Sequence, residues 1–422
     1  MNILFLTQIV PYPPDAGPKV KTWHVLRYLK AQGHHVTLVT FVRPEEYQHI
    51  GTLQNLCDEV YTVPIRRSRA WDLYYLLRSQ LSGRPFLVER DDSREMQSII
   101  SRLIEEIGYD AVQADQLTMT QFPLNLIHAK NKSKYRASSD ARLDIDPVFV
   151  FDAHNAVWRI VQEMVPKSTA LFRPLISLEA RRIKNFEAEV IRHFDKTLSV
   201  SEIDRNDLLK ALNNTISLET DQEKIEVFPI TVDTQELKPV QQNNNSLNIL
   251  TLGTLHYPPN ADGIRWFLRD VFPLVQAKIE GVTLTIVGKN PPTDFIDYAK
   301  EHPNTVHATG YVPDLDPYFQ DAAIAVIPVR AGSGMRVRIL EALARGMPLV
   351  TTSIGIEGIA ATHGREVMIS DSAPDFADAV IRLLKNNSLR DRLASDGRKL
   401  VCEKYDWQVA LRKMDQIYQH EH

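Results

Sequence analysis

Residues 329–346 read VRAGSGMRVRILEALARG, a glycine turn directly ahead of a helical pattern. Glycine lets a backbone approach a ligand closely. The free N–H groups of a first helical turn attract anions. Gly332, Ser333, Gly334 and Met335 would form such a cradle, with Arg330 and Arg336 adding positive charge. Arg338, Glu341 and Arg345 follow at three- and four-residue spacings on one helix face. Two readings suit that face. In one, the turn holds phosphate while Glu341 accepts sugar hydroxyls. In the other, it is a surface helix with two intrahelical ion pairs worth about 0.2–0.5 kcal/mol each.

Other loops carry candidate groups. In VHATGYVPDLDPYF (306–319) a strand ends, Pro313 opens a helix and Asp314 is the expected N-cap. The backbone of Val312, beside Tyr311, suits a flat base edge, and a well-capped connector gives the same pattern. Gly253 and Thr254 end the strand in TLGTLHYPPNADGIRWF. In QIVPYPPDAGPKVKTW the prolines stiffen the loop and Gly17 is the point of close approach. Lys19 and Lys21 read as solvated helix residues. His154 and Asn155 follow an apolar strand in VFDAHNAVW, where a histidine is either satisfied structurally or faces a substrate; Asp115 and Gln116 end another strand and can assist. RRSRAWDLYYLLRSQ (66–80) reads as a basic exposed helix with its aromatics packed inward; a helix lying on an anionic membrane is the alternative. The chain lacks GxGxxG after its first strand, GxSxG and HExxH, which counts against a dinucleotide cofactor, a hydrolase and a zincin.

Positioning these loops requires strands, because ligands of open parallel sheets bind beyond strand carboxyl ends. Apolar runs at 2–7, 34–41, 110–115, 148–154, 196–201 and 224–230 alternate with helical patterns at 20–33, 94–107, 155–165, 174–194 and 202–212. Uninterrupted apolar strands between helices imply a parallel sheet covered on both faces. Residues 231–246, with Pro239 and three successive asparagines, read as a linker. The alternation then restarts, with strands at 247–253, 283–288, 323–329 and 348–353 and helices near 262–278 and after Met335.

The bulk composition agrees with two globular domains. The chain has 422 residues, 44% hydrophobic and 24% charged. A net charge of −4 is too mild for a nucleic-acid groove. The two cysteines, Cys57 and Cys402, form no metal or disulfide pattern, which fits a reducing compartment. The N-terminus lacks a basic leader and cleavage site, so no signal peptide is expected. No apolar run approaches the ~20 residues of a bilayer span.

Taken together, PYPPDAGPKV, GHHVTLVT, VSEIDRNDL, LTLGTLHYPPNADGIRWF, LTIVGKNPP, ATGYVPDLDPYF and RILEALARGMPLVTTSIGIEGI resemble the retaining glycosyltransferases of family four. The HYPPNADGIRWF segment is similar to a branch met among bacterial surface-polysaccharide enzymes. The resemblance implies an α/β GT-B fold: two doubly wound Rossmann-like domains facing a central cleft. Residues 1–230 would bind the acceptor, with a C-terminal helix near 405–420 packing back on them. Residues 231–404 would bind a UDP- or GDP-activated sugar. Glu341 matches the second acid of the family's E-x7-E motif, on the donor ribose. Val312 matches the base-binding position, Gly17 the loop near the donor phosphate, and His154 the histidine near the donor sugar.

The first motif acid falls at Ser333, and the family's Arg and Lys after LTLG are absent; Arg336 and Arg330 are expected to neutralise the diphosphate instead. No acidic cluster is offered for a metal, so metal-independent transfer is expected, without a cofactor, and the resemblance implies retention of anomeric configuration. The acceptor would be a glycan, a lipid-linked saccharide or a small molecule. The setting would be cytoplasmic, with possible peripheral contact at the inner membrane face. A sugar-nucleotide epimerase of the same fold and a non-catalytic homologue acting as a partner subunit remain the alternatives.

Overall fold

Strands, the central ones buried along nearly their whole length, alternate with helices twice over, and each series closes into its own parallel sheet. The computed structural model describes residues 1–134, 147–166, 168–212, 219–243, 245–332 and 334–418. The chain divides into two compact units, the first made of Met1–Pro229 with Leu411–His422 and the second of Ile230–Ala410.

The first unit carries β1 (Asn2–Thr7), β2 (His35–Val42), β3 (Glu59–Pro64), β4 (Ala111–Asp115), β5 (Val148–Ala153), β6 (Lys196–Ser199) and β7 (Ile225–Val227). Their order is β3-β2-β1-β4-β5-β6-β7. All neighbours run parallel. Winding proceeds one way from β1 to β3 and the other way from β4 onward, so the switch point lies between β1 and β4. Register sets Thr7 beside Asp115 and Asp115 beside Asp152 at the carboxyl edge. Helices cover the sheet, and the core joins strand residues such as Leu4, Leu6 and Phe151 to Met96, Ile100, Ile183 and Ile191. The chain's last described turns return here: the hydroxyl of buried Tyr418 donates to Gln113, and that of Tyr28 donates to Asp415 at 3.0 Å.

The second unit carries β8 (Asn248–Leu252), β9 (Thr283–Val287), β10 (Val306–Ala308), β11 (Ala322–Ile327), β12 (Leu349–Thr351) and β13 (Met368–Ile369), in the order β10-β9-β8-β11-β12-β13. Its switch point falls between β8 and β11. The helix expected near 262–278 starts earlier, at Pro258, and runs to Gln276 with a wider turn at Phe267–Val271. Pro273 explains the irregularity, since it has no N–H for the carbonyl four residues back.

Residues 231–234 are not a loose linker. Val232 pairs with Asp406 in a parallel bridge, and the Thr234 amide and hydroxyl donate to the Asp406 carboxylate at 3.1 and 2.6 Å. Among the described residues, no helix is long and apolar enough to cross a membrane.

Candidate functional site

In the second unit the switch point brings together the residues after β8 and those after β11. Gly253 and Thr254 follow β8 directly, and the Thr254 carbonyl accepts the Tyr257 amide and the Asn260 side-chain amide, both at 3.1 Å. Two glycines that the sequence reading passed over make this corner possible. A Cβ on Gly263 would stand 2.0 Å from the Pro328 carbonyl oxygen, and one on Gly288 would stand 2.0 Å from that of Gly253. The helix Pro258–Trp266 therefore lies directly on the backbone that leaves β11. Only the close helix–strand packing betrays these positions, and local sequence does not record it.

Beyond β11 the chain turns through Gly332 and Gly334, at φ 96° and 87°, in the left-handed region that glycine supplies. Arg336 is the N-cap residue of the helix Val337–Ala344 and donates to the Gly334 carbonyl at 2.5 Å. Burial pushes its guanidinium below the ordinary arginine range, opposed by nearby Glu357 and Tyr257. Gly332 lies against the Arg336 side chain and Pro259. Arg330 stacks over the Trp266 ring at 5.2 Å. Met335 is buried. Ser333 lies outside the described residues.

On the helix, Arg338 donates to Glu341 at 2.6 Å. The second ion pair of the surface-helix reading is absent. Arg345 turns to Asp316 at 2.8 Å and stacks over Phe319 at 4.7 Å. Asp314 is not the N-cap it was expected to be. Leu315 takes that place in Asp316–Asp321, while the Asp314 carboxylate accepts the Asp316 amide at 2.9 Å. Tyr311 is exposed and Val312 half-buried, at the carboxyl edge beyond β10.

In the first unit Gly17 is the first residue of the helix Gly17–Ala31 and is half-buried. His154 comes one residue after β5. Its Nε2 lies 2.7 Å from Asp115 Oδ1, and Thr7 and Thr22 donate to Asp115 Oδ2 at 2.9 and 3.0 Å. An ionised carboxylate only accepts, so the proton sits on Nε2. Nδ1 is buried and has no hydrogen-bond partner. Gln116, next along, has φ 73° and ψ 154°, a region nearly confined to glycine, and its buried Nε2 is also unpartnered. A strained backbone and two unpartnered buried atoms thus lie together at this sheet edge, the kind of exception that calls for an explanation.

Lys21 is not solvated as expected. It is buried and pairs with Asp152, which also accepts from Gln113 at 3.2 Å. The sequence signal was its position, one helical turn past Gly17 on the face that carries Val20 and Val25 inward. Asp115, Asp152 and His154 offer ligand atoms within 4.8 Å of one another, a spacing that suits a cation. Lys21 already balances the Asp152 charge, and hydroxyls occupy Asp115, so the donor set fits a closed polar network rather than a metal. Nor do the aromatics of residues 66–80 all pack inward: Trp71 and Tyr74 are exposed, while Tyr75 is half-buried.

Comparison with known proteins matches this geometry. The family model described as Glycosyl transferases group 1 covers residues 246–386, the span that contains the β8 and β11 loops. An uncharacterized 44.6 kDa protein in the cps region of Klebsiella pneumoniae is 24% identical over 425 residues, covering 96% of both chains. Glycogen synthase of Mycobacterium tuberculosis is 32% identical over 155 residues, which are 35% of this chain and 37% of that one. The crystal structure of Anabaena HepE in complex with UDP and glucose superposes with a TM-score of 0.64 at 13% identity, covering 99% of this chain and 98% of that chain. Residues 246–386 thus match the glycosyl transferases group 1 model, and the whole chain, with its two parallel Rossmann-like sheets, shares the fold of HepE.

Proposed function

We propose that the chain moves a sugar from a UDP- or GDP-activated donor, held on the second unit, to a glycan, lipid-linked or small-molecule acceptor held on the first. The transfer retains anomeric configuration and uses no divalent ion, and it serves polysaccharide biosynthesis at the cytoplasmic face of a membrane. One observation carries the reading: a left-handed glycine turn with half-buried Arg336 caps the helix that bears Glu341, at the switch point of a domain that matches the group 1 model. The ligands in the HepE crystal structure, UDP and glucose, support the donor class.

The departing diphosphate gains charge in the transition state. Preorganised donors stabilise such charge better than mobile water does. Arg336, Arg330 and the first-turn amides of Val337–Ala344 supply them. Arg338 fixes the Glu341 carboxylate to accept ribose hydroxyls. Val312 meets the base and Gly17 approaches the phosphate. Asp115 and Asp152 are both engaged by neighbours, so neither is offered as a covalent nucleophile. Attack from the face of departure is then the route to retention, and His154 steadies the donor sugar through Nδ1.

Calorimetric titration with UDP and GDP tests the reading. Glu341→Ala and Arg336→Ala should each weaken binding about ten- to a hundredfold, the loss of one charge-assisted hydrogen bond. Undetectable binding of any nucleotide would instead favour a non-catalytic homologue. Formation of an epimer from a UDP-sugar without acceptor would overturn transfer.

A further inference from the structure

The helix Arg69–Ser82 presents two faces of opposite character. Ser68 caps its start by accepting the Trp71 amide at 3.3 Å, and Gly83 ends it at φ 74°. Inward, Ser79 is buried and Asp72, Tyr75 and Leu76 are half-buried. Outward, Trp71, Leu73, Tyr74, Leu77 and Leu81 are 55%, 58%, 51%, 59% and 91% exposed. Leu73, Leu77 and Leu81 recur at four-residue spacing, one stripe along the helix, with Tyr74 and Trp71 beside it. Soluble surfaces scatter such residues singly; five on one helix mark an interaction face.

We propose that this face docks on an anionic lipid bilayer. Its composition is that of an interfacial helix, with leucines for the acyl boundary and Trp and Tyr for the headgroup level. Charge selects the occupant. Arg66, Arg67 and Arg69 precede or open the helix, with no acid between Glu59 and Asp72. Arg66 and Arg69 are exposed, whereas Arg67 is held by Asp91. The outward arc carries no acid of its own. A second copy of the face would bring these arginines no counter-charge, while lipid phosphates would.

The inward face lines a cavity of about 420 Å³ with Arg66, Arg67, Arg94, Asp72 and Tyr75, beyond the carboxyl ends of β2 and β3. A membrane-borne saccharide would meet that cavity as the helix settles on the surface. This narrows the acceptor to a lipid-linked one, and that narrowing rests on the transferase reading.

Flotation of the full chain with phosphatidylcholine vesicles, with and without phosphatidylglycerol, tests the docking without using activity. The wild type should float with the anionic vesicles and be released by salt, because the arginine contribution is screened. The triple variant Leu73→Ser, Leu77→Ser, Leu81→Ser should partition at least about tenfold less, since it loses apolar insertion. Arg66→Gln with Arg69→Gln should lose the preference for phosphatidylglycerol. Unchanged circular dichroism and UDP binding would show that these exposed changes leave the fold intact. A wild type that stays unbound, or a triple variant that floats equally, overturns the proposal. So does a wild-type dimer that the triple variant makes monomeric without any vesicle binding. Loss of UDP binding in the wild type would sink the transferase reading and leave the flotation result standing.

Discussion

Asp115 ties His154 to the switch point of the first sheet: one carboxylate oxygen lies 2.7 Å from His154 Nε2, and the other accepts from Thr7 and Thr22. The imidazole is thereby fixed in both tautomer and direction, with Nδ1 buried and without a hydrogen-bond partner.

Asp115→Asn should therefore act through His154. An amide keeps the shape but presents donors as well as an acceptor, so the ring loses its fixed orientation. Transfer should slow about ten- to a hundredfold, the cost of a small misplacement near reacting atoms. The fall should appear in kcat more than in KM, with thermal unfolding little changed. Loss of nucleotide affinity in place of turnover would contradict this assignment.

Lys21 and Asp152 form a buried ion pair beside that cluster. Lys21→Ala leaves a carboxylate uncompensated and should cost about 3–5 kcal/mol in denaturant unfolding. Lys21→Met combined with Asp152→Leu removes both charges and should recover most of the loss. A double variant no better than Lys21→Ala would mean that the pair does more than balance charge.

Gly263→Ala places a Cβ 2.0 Å from a backbone oxygen, which no rotamer can relieve. The helix Pro258–Trp266 must move off β11, costing about 1–3 kcal/mol for overpacking. The glycine turn at 332–334 should move with it, and UDP affinity should fall even though residue 263 carries no binding group. Calorimetry on a folded Gly263→Ala chain reads the effect.

Glu187 sets a pH dependence. It is fully buried, and it accepts the Val157 and Trp158 amides at 2.7 and 3.3 Å. Burial pushes its carboxyl up to about 8 from 4.5, opposed by those amides. Between these values the unfolded chain gives up the proton first, so this group makes stability fall as pH rises from about 4.5 to about 8 and level off above. Glu187→Gln should flatten that slope in melting curves taken across the window. An unchanged slope would place the titration elsewhere.

The strand series was legible because buried parallel strands read as continuous apolar runs; β1, β4 and β8 fall within a residue of their expected bounds. β3 escaped notice because EVYTVP is an edge strand, half-buried and alternating in polarity. β13 has two residues, too few for any period to show. At the sites, glycine turns and strand-end acids could be read locally. The inward position of Lys21 could be read from its helix face, but its partner could not, because Asp152 lies 131 positions away. Gly263 and Gly288 were silent for the same reason: what forbids a side chain there is another segment's backbone.

Tyr418 joins the first sheet, at Gln113, from a segment that follows the whole second unit. A ribosome delivers the strands of that sheet long before it delivers their final plug. The first unit must wait, unfinished, until Ile230–Ala410 has been made. Losing the Tyr418 side chain would thus injure the oldest part of the nascent chain, not the newest.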